Sequence, residues 1–364
     1  ALGAANAKVD ANNDRVALTE LVADVMDGRI NGTATIALNN RSASMLKGDF
    51  SNLDISKLAA LRVGNLAPLQ GQTTGNIDLT FPGTDFRTSS GTINAAITAN
   101  AGTADRGFVP IHGQIRLSAV SGLFTVDLAD LNTEKSRLTA TGRFDLKDEN
   151  SDLAVVLNST DASEIDRLVR VLGISKEFED QLDSMEVEVA GNLRFDGTIT
   201  GNVSDPTVNG KASLESLAMR GRDVGRVAAD IFADPTGFEL RNGRLSDNQG
   251  GTAEFSATIP RAGQNNIAIK ASLANIDVGN LLAALPITLP EQIRDLDGQT
   301  SGSVDITGLP DDSRGEINLA AAKGIIAGQP FDGLTVKAVF SGTRVELQQA
   351  TLRLGAGQVS ATGS

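Results

Sequence analysis

The chain has 364 residues, of which 40% are hydrophobic but only 4% aromatic, and it contains neither Trp nor Tyr. Its formal net charge is −13, and the sequence has no basic stripe of the kind that binds nucleic acid. The lack of Cys excludes disulfides, thiolate chemistry and Cys-based zinc sites. No apolar run approaches the roughly 18 residues of a membrane-spanning helix.

Apolar and polar residues alternate with a period of two through most of the chain. The alternation is clearest at 115–117, 124–128, 187–189, 267–269, 304–306, 334–340, 345–347 and 352–354. Segments rich in Gly, Pro, Asn and Asp, which favour turns, separate these runs at 81–85, 147–152, 233–237, 247–251 and 308–312. This pattern predicts short antiparallel strands with one apolar face and one solvated face.

Three short helices are predicted, each behind an aspartate that can cap its first turn. They cover residues 55–60 behind Asp54, 162–172 behind Asp161 and 278–285 behind Asp277. A segment at 176–182 extends the second helix to about residue 182, and Pro286 ends the third. Each helix leads into a strand that contains a glycine, so the helices occupy the same place in a repeated unit.

The repeated unit recurs about every 110 residues, at the matching glycines Gly75, Gly191 and Gly302. A second similarity joins G-K-A-S-L (210–214) to G-E-I-N-L (315–319), with G-Q-I-R-L (113–117) as a weaker first copy. We therefore expect one continuous stacked array. Its three β repeats are 1–150 with the helix near 55–60, 151–265 with the helix near 162–182, and 266–364 with the helix near 278–285.

The residues that could carry chemistry have simpler structural interpretations. His112 is the only histidine, so a metal site there would lack a second His or Cys ligand. It is also the only imidazole that could act as the base for a serine nucleophile. The acidic residues Asp145, Asp148, Glu149 and Asp152 lack the spacing of a calcium-binding loop and fit a solvated turn. We expect no catalytic residue, cofactor or metal, and we interpret the protein as a non-enzyme.

The alternation assigns nine apolar residues to the inner face of the sheet. They are Phe124, Val126, Leu214, Val304, Ile306, Ile317, Leu319, Val336 and Leu347. These side chains either line an open hydrophobic groove or pack into a closed core, because both arrangements bury the same face. An error of one residue in register would exchange the two faces.

The order of a short helix, a strand with the pattern L-x-G-x-x-x-G-x-V-x-I-x-G, and G-x-I-x-L resembles the AsmA-like and TamB-like proteins of Gram-negative envelopes. The resemblance is best at 271–364, is close at 158–259, and covers nearly the whole chain. It implies an elongated antiparallel-type β-sheet curled into an open trough with an aliphatic interior. It also implies a periplasmic protein, anchored in the inner membrane, that moves phospholipid between membranes and has no catalytic residues.

Two functions follow from these expectations. The first is a bridge segment that carries phospholipid acyl chains along the groove and supports outer-membrane biogenesis. The alternative is a non-conducting scaffold that works with an outer-membrane barrel-assembly protein in translocation and assembly. Because the chain begins with Ala-Leu-Gly, we expect it to be part of a longer protein whose membrane anchor lies outside it.

Overall fold

The structure is a computed structural model that describes residues 2–39, 42–63, 68–99, 108–147, 149–172, 186–202, 205–260, 266–284, 296–309, 312–342 and 344–364. Strands make up 77% of it. Twenty-two of its 24 strands belong to one antiparallel sheet that is not closed, and the other two form a small parallel pair. The prediction of a mainly β protein with an open antiparallel sheet and a few short helices is therefore confirmed.

The helices and strands have the following bounds. The described helices are α1 (Ile55–Val63), α2 (Ala162–Leu172) and α3 (Val278–Ala284), with a 3-10 turn at Phe86–Thr88. The strands are β1 (Leu2–Ala11), β2 (Arg15–Val25), β3 (Gly28–Ala37), β4 (Ala43–Asp54), β5 (Leu69–Gln70), β6 (Gln72–Pro82), β7 (Ser90–Thr98), β8 (Val109–Pro110), β9 (His112–Val120), β10 (Leu123–Asn132), β11 (Ser136–Asp145), β12 (Asn150–Ser159), β13 (Val187–Asn202), β14 (Pro206–Met219), β15 (Arg222–Asp234), β16 (Gly237–Ser246), β17 (Thr252–Pro260), β18 (Ile267–Asp277), β19 (Asp297–Leu309), β20 (Ser313–Ile326), β21 (Gln329–Phe331), β22 (Gly333–Gly342), β23 (Arg344–Leu354) and β24 (Gly357–Gly363).

The chain comprises two compact units. The first unit consists of Ala1–Thr160, Glu164–Ile174 and Asp196–Thr207, and the second of Asp161–Ser163, Ser175–Phe195 and Val208–Ser364. The division into three repeats at 1–150, 151–265 and 266–364 stays a prediction from sequence similarity.

Each unit is a meander in which a strand pairs with the strand that follows it. In the first unit the antiparallel order is β1-β2-β3-β4-β6-β7-β9-β10-β11-β12, and the parallel pair is β5 with β8. In the second unit the order is β14-β15-β16-β17-β18-β19-β20-β22-β23-β24, with β21 also paired to β20. Neighbouring strands of a meander are joined by short connections, so the sheet grows by local steps.

The repeated motif Asn-Leu/Ile-Asp has the same local structure in both units. Asn52 and Asn275 both have a φ of 55°, a left-handed conformation that Asn adopts more readily than most residues, and each lies at a register shift of its strand. The next residue, Leu53 or Ile276, is buried. A β-bulge therefore interrupts regular pairing shortly before the helix begins, and pairing resumes for the two residues that follow it.

The predicted helix caps are present. The carboxylate of Asp54 accepts from Lys57 N at 3.0 Å, that of Asp161 from Ser163 N at 3.1 Å, and that of Asp277 from Asn280 N at 2.9 Å. These bonds satisfy backbone donors that the first turn of a helix leaves free. The predicted extension at 176–182 and the stop at Pro286 lie outside the described residues.

Each helix begins beside the hairpin turn that precedes the neighbouring strand. At α1, Asp54 N donates to Met26 O at 2.9 Å, in the turn between β2 and β3. At α2, the buried carboxylate of Glu164 accepts from Ser136 Oγ at 2.5 Å, next to the turn between β10 and β11. At α3, Asp277 N donates to Asp247 Oδ2 at 3.0 Å, in the turn between β16 and β17. The helices thus occupy equivalent places, as the repeat predicts.

The structure changes the assignment of one repeat copy. In the second unit, G-E-I-N-L (315–319) lies on β20, which pairs directly with the Gly302 strand β19. In the first unit the strand paired directly with the Gly75 strand β6 is β7, which carries G-T-I-N-A at 91–95. The predicted copy at 113–117 lies one strand further along, on β9. Strand pairing, which the linear motif does not encode, identifies 91–95 as the equivalent segment.

Candidate functional site

The second unit carries three rows of apolar side chains that run across its strands. Each row is a chain of directly opposed residues. All three lie on one face because neighbouring rows are two or four residues apart along a strand, except at the β-bulges of β16 and β23, where the step is three. The Leu319 row is Leu214, Val227, Leu245, Ala253, Leu273, Gly302, Leu319, Val336, Ala350 and Ala361. The Val304 row is Gly243, Phe255, Ala271, Val304, Ile317, Ala338, Leu347 and Gly363. The Ile306 row is Gly210, Ile231, Leu240, Ala257, Ile269, Ile306, Gly315, Phe340 and Val345.

These rows contain every inner-face residue predicted for the second unit and no charged or polar side chain. Seven of the predicted residues, Leu214, Val304, Ile306, Ile317, Leu319, Val336 and Leu347, therefore share one face of the sheet, and their role in lining a groove stays a prediction. β-Bulges interrupt the alternation in several strands, such as between Leu214 and Leu217, but the rows continue on both sides of them. The result is a continuous aliphatic surface across ten strands, β14 to β24 without β21.

The opposite face of the same strands is polar. Ser303 lies between Ser272 and Asn318 on neighbouring strands, and Asn318 faces Lys337. Lys270 donates to Asp305 at 2.9 Å across β18 and β19, and this hydrogen bond raises the pKa of the lysine. Both partners are exposed. This face is therefore solvated, and the candidate site is the apolar face that carries the three rows.

The first unit has the same two-faced organisation. Phe124 belongs to a row that consists of Val9, Leu18, Ala34, Leu46, Leu79, Gly91, Ala119, Phe124, Phe144 and Ser151. Val126 belongs to the next row, Leu21, Gly32, Gly48, Ile77, Ile93, Leu117, Val126, Gly142 and Leu153. The rings of Phe124 and Phe144 stack with centroids 5.1 Å apart. The two predicted residues thus share one apolar surface in this unit.

The nine predicted residues differ in how deeply they are covered. Phe124, Val126, Val304, Ile306 and Ile317 are buried, whereas Leu214, Leu319, Val336 and Leu347 are only partly buried. In the second unit the buried ones form a cluster with Leu281 of α3 and with Leu273 and Ile276 of β18. Helix α3 therefore covers part of the face.

Coverage falls toward the last strands of the second unit. Val345, at the end of the Ile306 row, is 46% exposed, and Val359 on β24 is 57% exposed. Val359 pairs with Leu352, which pairs with Leu334 on the same face. The apolar positions on these last two strands are therefore exposed in the described residues.

Sequence reasoning missed a set of Phe rings that lie over glycines of the adjacent strand. The pairs are Phe50 with Gly75, Phe255 with Gly243, and Phe331 with Gly324. Alternation locates the phenylalanines, but a cross-strand partner depends on bulges and turn lengths elsewhere in the chain. Gly75 was identified as a mark of the repeat, and the structure adds its partner.

The ionisable residues singled out in the sequence lie apart in the part of the chain that the structure describes. No cluster of three or more His, Asp or Glu side chains that could hold a metal occurs there. His112 is exposed at the start of β9. Asp145 accepts from Lys147 N at 2.7 Å, which fits the predicted turn, while Asp148 lies outside the described residues. None of the described helices is long and apolar enough to cross a membrane.

The geometry defines a class of protein, an antiparallel β-meander in which each of the two units carries an apolar face. Comparisons of the chain with protein-family models, with curated proteins and with solved structures found no match. The resemblance to AsmA-like and TamB-like proteins therefore depends on the sequence pattern described above.

Proposed function

We propose that this chain is a segment of a periplasmic bridge that carries phospholipid along its apolar face between the inner and outer membranes. The observation that carries the proposal is the combination of three uninterrupted apolar rows with partial exposure of Leu214, Leu319, Val336 and Leu347. A surface of this kind needs an apolar partner in water, because contiguous exposed apolar patches mark interaction sites.

The dimensions of the rows suit an acyl chain. Ten adjacent strands at about 4.8 Å spacing give each long row a length on the order of 40 Å. Each methylene that leaves water for the surface contributes about 0.8 kcal/mol, so a two-tailed lipid has a strong tendency to stay on it. The rows contain mostly Val, Ile, Leu and Ala, so neighbouring positions offer similar contacts. An acyl chain can therefore move from one strand to the next, because no deep pocket holds it at a single position.

Lipid headgroups would remain in water at the ends of the strands. The turns there carry ionisable residues, such as Asp234 and Asp312. Movement along a uniform surface requires no nucleotide hydrolysis on this chain, and the direction would be set by lipid supply and removal at the two membranes. The periplasmic location is part of the proposal and follows from the resemblance to envelope proteins.

The proposal is tested by purifying the segment from a Gram-negative host under detergent-free conditions and identifying bound lipid by mass spectrometry. We expect phospholipid to copurify and to exchange with vesicles. A preparation that is folded by circular dichroism, contains no phospholipid, and takes up none from phosphatidylethanolamine vesicles would contradict the proposal.

One observation favours the second candidate, a scaffold that joins a barrel-assembly partner. All residues of β24 (Gly357–Gly363) are exposed, and its described pairing is with β23. The side of β24 that faces away from β23 can accept a further strand, either from this protein or from a partner. In that case Ser360→Pro, which removes a backbone donor, should weaken partner binding and leave lipid loading unchanged. Loss of lipid loading without a change in partner binding would instead favour the bridge.

A further inference from the structure

Three phenylalanine rings lie against glycines on the neighbouring strand, and the fit leaves no room for a side chain. An added Cβ would lie within 2.7 Å of the ring in every case: 2.7 Å between Gly75 and Phe50, 2.6 Å between Gly243 and Phe255, and 2.5 Å between Gly324 and Phe331. Real Cβ atoms do not approach other carbons this closely. The glycines therefore allow the rings to lie on the sheet instead of standing above it.

The pair of Gly243 and Phe255 isolates this effect. The three atoms nearest to a Cβ on Gly243 all belong to the Phe255 ring, at 2.6 to 2.8 Å. At Gly75 the added Cβ would also meet the carbonyl oxygen of Asn94 at 1.9 Å, which is a clash with backbone. Gly243 does not have a positive φ, so alanine can adopt its backbone conformation. The change Gly243→Ala would thus displace only the ring.

We propose that Gly243 is a specificity-determining position that sets the free depth above the apolar face by holding the Phe255 ring down. This inference rests on the proposed lipid transport and identifies its substrate class as lipids with two acyl chains. Phe255 is part of the Val304 row, directly opposite Ala271. Gly243→Ala would lift the ring away from the sheet, and a raised ring reduces the space on the apolar face beside Ala271. Two acyl chains side by side need more of that space than one chain does.

The first experiment compares loading of a fluorescent diacyl phosphatidylethanolamine with loading of its single-chain lyso form. Loss of contact between the apolar face and about two methylenes of the lipid corresponds to about a tenfold loss of affinity. We therefore expect Gly243→Ala to bind the diacyl probe about tenfold more weakly while its affinity for the lyso probe changes little. The matched control is Gly333→Ala on the polar face of β22, opposite Arg353, where an added Cβ meets no atom closer than 3.6 Å. The double variant Gly243→Ala/Phe255→Ala has no ring to raise, so its diacyl loading should match that of Phe255→Ala.

A second experiment adds a bulky group at position 255 after the protein has folded. It tests the same inference even if Gly243→Ala does not fold. Because the protein has no Cys, a Phe255→Cys variant carries a single thiol that can be labelled with a bulky maleimide. Ser256→Cys, the next residue on β17, places the same label on the polar face. We expect the label at position 255 to block the diacyl probe and the label at position 256 to have no effect.

The outcomes separate this inference from the proposed function. If the wild-type protein loads neither probe, the proposed function is overturned and this inference with it. If the wild-type protein loads the diacyl probe and the folded Gly243→Ala variant loads it equally well, only the inference is overturned. Equal losses for both probes, or equal effects of the two labels, would likewise contradict a role in chain selection.

Discussion

The substitution Leu319→Asp tests whether the apolar face binds lipid or serves only as a hydrophobic core. Leu319 is partly buried on β20 between Gly302 and Val336, and its sequence neighbour Asn318 lies on the polar face opposite Lys337. Asn318→Asp is therefore a control that adds the same carboxylate to the same strand, one residue away and on the other face.

The structure predicts different sizes for the two effects. Full burial of a leucine contributes about 1.5–3 kcal/mol, and the partly exposed Leu319 should contribute a value near the lower end. A polar group that loses water without a partner costs a further ~1–3 kcal/mol. We expect Leu319→Asp to lower the free energy of unfolding by about 2–4 kcal/mol, within the ~5–15 kcal/mol that a domain has. Asn318→Asp gains an opposite charge across the strand, worth about 0.2–1 kcal/mol at most.

Urea unfolding followed by circular dichroism measures the stability, and loading with diacyl phosphatidylethanolamine measures function at a temperature where both variants are folded. An acyl chain that crosses position 319 would have to lie against the new carboxylate, so we expect at least about a tenfold loss of loading. Leu319→Asp protein that is folded and loads lipid as well as Asn318→Asp would refute the reasoning. Lipid would then not travel along this row.

The remaining predictions concern the covered part of the face, a helix cap and a surface ion pair. Val304 is 2% exposed and belongs to the core cluster that includes Leu281, so Val304→Thr should lower the free energy of unfolding by about 1–3 kcal/mol in urea titrations. Ser303→Thr, on the solvated face, should change it by less than about 0.5 kcal/mol. Asp277→Ala removes the cap of α3 and should cost about 1 kcal/mol in the same assay, whereas Asp277→Asn keeps an acceptor for Asn280 N and should cost less; equal losses would argue against the cap. The hydrogen bond from Arg137 lowers the pKa of Asp130. A lowered pKa in the folded protein means that this pair stabilises the fold above the ordinary carboxyl pKa of about 3.9 and that the stabilisation disappears as the pH falls through the lowered value. Because Arg137 is 60% exposed, we expect Asp130→Asn to differ from wild type by less than about 1 kcal/mol near neutral pH and to match it near pH 2; a difference that grows on acidification would contradict this sign.

Much of the local structure could be predicted from the sequence, because it depends on neighbouring residues. Alternation at 304–306 and 334–340 located strands and assigned their faces correctly, since side chains of a strand point to alternate faces whatever strand lies beside it. Asp54, Asp161 and Asp277 located the helix starts for the same reason, because a cap bonds to backbone two or three residues away.

Only the tertiary structure decided which residues oppose one another and which are covered. The partner of Phe255 is Gly243 because turns and bulges place β16 and β17 in that register, and the motif at 113–117 belongs to β9 because β7 intervenes. Val304 lies in the core cluster with Leu281 of α3 while Leu319 stays partly exposed, although their alternation patterns are alike. Periodicity is a property of one strand, whereas register and coverage depend on hydrogen bonds and packing between segments that are distant in the sequence.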